Sequence, residues 1–213
     1  IRDSDRRVSN FISAHPEQDS LHFLSSSATY RIGEDLLHCK GVQSIAVADS
    51  RIFPDSGNLT IRARAKMDEL SQAKIVTNAT TKYHLLDSAL VNIRGRYEFN
   101  AIGFYNYITI NGEIQRILFD DILVDDSLRT IGKGAIMART GFRLGPAFAY
   151  AGDVKMTSTE PFLHFSGGVK MTKDCSRMQR SWIAFEGDIN PEAIAIPITD
   201  PPRDTDGDLL AYG

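Results

Sequence analysis

The chain has 213 residues, with 24 Lys and Arg against 27 Asp and Glu for a formal net charge of −3, and it is 42% hydrophobic and 24% charged. At about 150 residues per domain this length makes one or two domains with a sizeable core, and the near-average composition excludes a chain disordered throughout. No apolar run reaches the roughly 18 to 20 residues of a membrane-spanning helix. No Lys/Arg block is longer than the pair Arg6-Arg7, so the basic surface that binds nucleic acid is not expected either.

Residues 1–28 are polar, with a Ser25-Ser26-Ser27 run and a His15-Pro16 break. They read as an arm with at most one short helix, around Arg6 to Ala14. Beyond Tyr30 the text changes to short alternating apolar stretches punctuated by Gly, Pro, Asn and Asp, the pattern of strands joined by turns. Gln43 to Phe53 reads as the first clear strand, closed by the turn residues Pro54-Asp55-Ser56-Gly57. Asn58 to Ala65, Ala73 to Val76 and Leu86 to Ile93 follow, and Tyr97, Phe99 and Ala101 keep the two-residue period. Gly103 to Ile110 is aromatic and β-branched and runs into Asn111-Gly112, a strong hairpin signal, so Glu113 to Phe119 is expected to return antiparallel to it. Ala147 to Met171, then Trp182, Ile183 and Phe185, then Ile194 to Ile198 extend the sheet. The stretch 199–213 reads as an acidic Pro/Gly linker continuing into a further segment.

Two frames recur. Leu70-Ser71-Gln72-Ala73-Lys74-Ile75 and Leu86-Asp87-Ser88-Ala89-Leu90-Val91 share Leu-x-x-Ala-x-Ile/Val, and Val154-Lys155-Met156 returns as Val169-Lys170-Met171. Such echoes fit the rungs of a β-solenoid or consecutive strands of a meander. The expected fold is all-β, an antiparallel β-sandwich or open β-roll of about ten short strands over residues 29–198, with the β-solenoid as the alternative.

Motifs that carry chemistry are sparse. Cys39 and Cys175 are too far apart for a C-x-x-C motif and read as buried thiols, a disulfide between them being open. The histidines His15, His22, His38, His84 and His164 show no metal-ligand spacing, and His84 and His164 read as solvent-face or satisfied core residues. Neither G-x-S-x-G nor a Cys-His signature occurs. Asp120-Asp121 and Asp125-Asp126 flank Ile122 to Val124 and read as strand-edge charge, or as a first place to look for a cation. Asp204, Asp206 and Asp208 alternate as calcium-loop ligands do, although Gly207 falls at the fourth place and no twelfth residue follows. Calcium is the one ion this pattern points to, and no other cofactor is expected. Asn58-Leu59-Thr60 and Asn78-Ala79-Thr80 match the N-glycosylation triplet. The aromatic group Tyr97, Phe104, Tyr105 and Tyr107, with Phe99, fits a sugar-stacking or lipid-contacting face, or the core.

The strand run from Ile45 to Met171, with its Val-Lys-Met and Leu-x-x-Ala frames and its Gly152-Asp153-Val154 and Gly167-Gly168-Val169 punctuation, resembles the repetitive β-domains of large bacterial cell-envelope proteins, including the OstA-like domains of lipopolysaccharide transport. The resemblance implies a non-catalytic domain outside the cytoplasm, in the periplasm, at the outer membrane surface or secreted, whose sheet interior or edge contacts acyl chains or a protein partner. The functional expectation is therefore a structural or partner-binding β-domain of a larger envelope or secreted protein, engaged by another protein or by flanking domains. A carbohydrate-recognition module or glycan-degrading enzyme is one alternative, the enzyme needing two carboxylates about 5 to 9.5 Å apart. A lipid or lipopolysaccharide carrier is the other.

Overall fold

A computed structural model describes residues 8–172 and 181–210. Its strands, in chain order, are β1 (Ser9–Ile12), β2 (His22–Ser25), β3 (Ser27–Arg31), β4 (Leu36–Lys40), β5 (Ile45–Val47), β6 (Ser50–Phe53), β7 (Leu59–Ile61) and β8 (Leu70–Val76). They continue as β9 (Leu85–Gly95), β10 (Glu98–Ile108), β11 (Ile114–Val124), β12 (Thr130–Ile136), β13 (Arg143–Gly145), β14 (Phe148–Thr157), β15 (Leu163–Met171) and β16 (Ile183–Ile189). The fold is all-β. One sheet of 13 strands runs β1-β2-β5-β6-β8-β9-β10-β11-β12-β14-β15-β16, with β13 added beside β14, and a small sheet holds β3, β4 and β7. The ladders are antiparallel, and the large sheet does not close into a barrel. It is the open-roll form of the expected architecture, with sixteen strands among the described residues rather than about ten, and with β9, β10 and β11 each 11 residues long rather than short; the solenoid alternative falls, because solenoid rungs stack in parallel.

The Leu-x-x-Ala frame has a local cause. Leu70 and Ala73, and likewise Leu86 and Ala89, all point inward although three positions apart, which a regular strand cannot do. An extra residue makes up the difference in each strand: Gln72 (φ 52°) and Ser88 (φ 49°) occupy the left-handed region, and the ladder shifts register beside them. Across the pair Leu70 faces Val91, Ala73 faces Ala89 and Ile75 faces Leu86, so the repeated frame is one bulged antiparallel interface read twice. In β11, Phe119 and Ile122 are both inward, and the exposed Asp120-Asp121 doublet between them marks a third register shift. These bulges bend neighbouring strands together and curl the sheet. Gly134 allows one of the closest approaches: a methyl there would overlap the Leu118 carbonyl oxygen. At Gly152 (φ 145°) a Cβ would lie 2.6 Å from the Gly167 Cα.

Curling brings strands far apart in the sheet order together at one end. The Asp49 carboxylate, in the β5–β6 turn, accepts the Thr130 N–H at 3.1 Å, the Thr130 hydroxyl at 2.7 Å and the Ser158 hydroxyl. The Ser50 and Thr130 hydroxyls meet at 2.6 Å, and the Asp49 carbonyl accepts the Ala79 N–H at 3.0 Å. The roll is thus pinned by a polar knot whose Ser50, Thr130 and Ser158 are fully buried. Between the walls the core is continuous and aromatic, with Phe165 edge-on to Tyr150 and Tyr107, and the Tyr107 hydroxyl donating to the Leu144 carbonyl at 2.9 Å.

Several boundaries differ from the sequence expectation. The stretch read as a polar arm contributes β1 and β2 to the large sheet, Phe11 stacking on Phe23 at 5.5 Å, and over its described part the expected helix is a strand. Leu21 and Phe23 alternate inward there, a period-two signal too short to stand out among serines. The single strand over Gln43 to Phe53 is a hairpin, β5 and β6, turning at Ala48 (φ 50°) and Asp49. The strand expected over Ile194 to Ile198 is reduced to a single bridge from Ile198 to Phe185, and the stretch read as a linker lies along the β16 edge through a bridge from Asp204 to Ile183. Cys39 is buried, and Cys175 lies outside the described residues.

Candidate functional site

The outward positions of β11, β12, β14, β15 and β16 form cross-strand rows, because side chains of one face align where antiparallel strands are in register. One row reads Asp121, Lys133, Lys155, His164, Asp188. Two residues along, a second reads Ala135, Asp153, Ser166, Glu186. The rows surround a shallow depression of about 440 Å³, lined by Asp120, Lys133, Asp153, Lys155, His164 and Ser166 over Gly134 and Ala135. Two features of the fold form it: the Asp120-Asp121 bulge turns two carboxylates outward, and Gly134 and Ala135 leave the floor low.

His164 anchors one side. Its Nδ1 is 2.8 Å from Asp188 Oδ1 and its Nε2 is 3.2 Å from Glu186 Oε1. The Asp188 carboxylate raises its pKa above the ordinary imidazole value, the Glu186 carboxylate adds to the rise, and partial burial opposes it. A Ser-His-Asp arrangement needs one imidazole nitrogen turned to the nucleophile. Here both nitrogens face carboxylates, so Ser166 has no base at His164. Lys133 pairs with Asp121 at 3.6 Å.

The predicted aromatic group does not gather on one face. Tyr107 is buried in the core. Tyr105 points inward against Phe119 and reaches a cavity of about 330 Å³ beside Phe162 and Pro191. Burial raises the pKa of both tyrosines. Phe104 points outward, covered by the Arg116 guanidinium at 4.0 Å, and Arg116 is held by Asp87 at 2.7 Å. Tyr97 is exposed at the β9–β10 turn with Arg96 at 5.4 Å. Alternation along one strand separates Phe104 from Tyr105 and Tyr107 by construction.

The predicted calcium loop has a different geometry. Asp204 Oδ1 accepts the backbone N–H groups of Asp206 at 3.0 Å and Asp208 at 2.9 Å, closing a turn rather than facing outward with the other two acids. Among the described residues no three His, Cys, Asp or Glu side chains are grouped to hold a metal ion. Asp125 likewise caps its own turn, accepting the N–H groups of Ser127 and Arg129 at 2.9 Å each, and its pKa is lowered chiefly by the Arg129 side chain. In the glycosylation triplets, Asn58 is exposed, while the Asn78 side chain accepts the N–H groups of Thr80 and Thr81.

His84 is fully buried, with Nε2 2.8 Å from the Glu160 carbonyl and Nδ1 without a partner of good geometry. Burial lowers its pKa, opposed by the Glu160 and Thr157 carbonyls. His164, Lys155 and Asp153 were not singled out as a group by sequence reasoning. The available signal was polar residues at every second position in successive strands: Asp153 and Lys155, His164 and Ser166, Glu186 and Asp188.

Compared with models of known protein families, with curated proteins and with solved structures, the chain matches none.

Proposed function

We propose that the chain is a non-catalytic, partner-binding β-domain of a larger bacterial envelope or secreted protein, and that it meets its partner with the outside of the sheet. One observation carries the reading. The outer face of β9, β10 and β11 leaves Leu90, Ile102 and Leu118 exposed by 41%, 45% and 41%, with Leu90 opposite Ile102 and Leu118 opposite Phe104. Apolar side chains grouped on one sheet face, bordered by the charged rows of β12 to β16, have the make-up of a protein interface with an apolar centre and a polar rim. The partner is a protein offering an apolar patch ringed by charges of mixed sign. Placement outside the cytoplasm rests on the strand-pattern resemblance to OstA-like domains. The carrier reading draws less support, because Phe99, Phe119, Tyr150 and Phe165 occupy the space between the walls where an acyl chain would lie.

The test is site-specific photo-crosslinking in the source cells, with p-benzoylphenylalanine in place of Ile102, Leu118 or Lys74, the last on the outer face of β8. The expected result is one discrete protein adduct from the first two positions, none from the third, and loss of the adduct in Leu90→Asp. Equal yields at all three positions, no adduct at all, or reproducible turnover of a substrate by the purified chain would overturn the reading.

A further inference from the structure

The polar half of the outer face does not depend on that partner. Lys155 stands in its row between Lys133 and His164, and like charges directly opposite one another, as Lys133 and Lys155 are, destabilise a sheet. Both neighbours are drawn away, Lys133 to Asp121 and His164 to Asp188 and Glu186, leaving Lys155 without an ion pair among the described residues. Asp153, two residues back on the same face, and Asp120 across the depression are exposed and carry no ion pair there either. An ammonium, two carboxylates and the Ser166 hydroxyl therefore converge on one depression with their hydrogen-bonding capacity unused.

The ligand class follows from the charge pattern. Around the depression the acids Asp120, Asp121, Asp153, Glu186 and Asp188 outnumber the lysines Lys133 and Lys155 even with His164 added to them, which opposes an anion. The acids are not grouped for a metal ion. A hydroxyl both donates and accepts, so a neutral polyol can satisfy carboxylates and an ammonium together without adding charge. The rows repeat at about 4.8 Å across strands and about 6.8 Å along them, a spacing that suits a ligand with hydroxyls around its whole edge. We propose that this depression binds an uncharged saccharide, whose hydroxyls accept from Lys155 and donate to Asp120 and Asp153, with Ser166 at the rim.

The test is an amide and histidine-ring NMR titration of the full chain with maltotetraose, cellotetraose and chitotetraose, and with an oligogalacturonate as the acidic comparison. The expected result is saturable shifts confined to Ala135, Lys155, His164 and Ser166 with one of the neutral oligomers, at the millimolar affinity of a shallow site. Lys155→Met and Asp153→Asn should each weaken binding about tenfold or more, while Lys74→Met on β8 leaves it unchanged. Shifts with the galacturonate alone would make this an anion site and overturn the proposal. So would shifts scattered over other strands, undiminished affinity in both variants, or no saturable shift with any of the three neutral probes. If Asp153→Asn does not fold, the wild-type shift map and Lys155→Met decide.

Discussion

At the base of the roll the Asp49 carboxylate takes hydrogen bonds from Thr130 and Ser158, and every hydroxyl of that knot is buried and partnered. On the outside of the same strands Lys133 and Lys155 face each other with like charge. β12 carries both Thr130 and Lys133, and β14 carries Lys155 and leads into Ser158, so the contrast lies between two faces of the same strands. Inside, an unpaired buried group costs about 1 to 3 kcal/mol, and the knot leaves none of its hydroxyls in that state. Outside, water covers that cost, and polar valence left over is free for a ligand.

The largest effect is expected at the knot. Asp49→Ala leaves the Thr130 N–H and the Thr130 and Ser158 hydroxyls without their acceptor, at an expected cost of about 4 kcal/mol in urea unfolding. A loss below about 1 kcal/mol would place the knot in the range of exposed ion pairs and dissolve the contrast. Next is Gly134→Ala, where the new methyl meets the Leu118 carbonyl. It should cost about 2 kcal/mol and flatten the depression floor, seen as a lower thermal midpoint and altered amide shifts in β11; an unchanged midpoint would remove Gly134 from the account of the bend.

The two histidines sharpen the comparison through opposite pH dependences. Burial lowers the folded-state pKa of His84, so the unfolded chain binds its proton more readily. His84 therefore favours the folded state fully above the unfolded value of about 6.5 and less as pH falls through the lower folded value. The difference in urea midpoint between the native chain and His84→Asn should shrink as pH drops below that value; a pH-independent difference would contradict the burial argument. His164 runs the other way. Its carboxylate partners raise the folded pKa, so its contribution is complete below about 6.5 and is lost as pH rises through the higher folded value. With 38% of its side chain exposed, that contribution should stay under about 0.5 kcal/mol. The measurable sign is a ring NMR titration midpoint above the ordinary imidazole value that falls back in Asp188→Asn.

Local chemistry was legible wherever one turn or one strand contains it. Asn111-Gly112 marks the β10–β11 hairpin as expected, although the loop closes between Thr109 and Glu113 and only Gly112 adopts positive φ, at 77°. The Leu-x-x-Ala echo was visible, but its meaning was not, since a solenoid rung and a bulged antiparallel pair leave the same text until the pairing direction is known. Asp204, Asp206 and Asp208 alternate like ligands, and nothing in that spacing tells that Asp204 is taken by its own loop amides.

The sequence by itself determined the all-β class, the hairpin at Asn111-Gly112 and the shared inward face of Ala89, Val91 and Ile93, because period-two alternation and turn residues act over a few positions. Only the tertiary structure decided that Asp49 reaches Thr130 and Ser158 across 81 and 109 residues, and that Lys133, Lys155, His164 and Asp188 share one row. Register and curl are set by bulges whose effects add from strand to strand, so a group assembled from several strands has no spacing of its own along the chain.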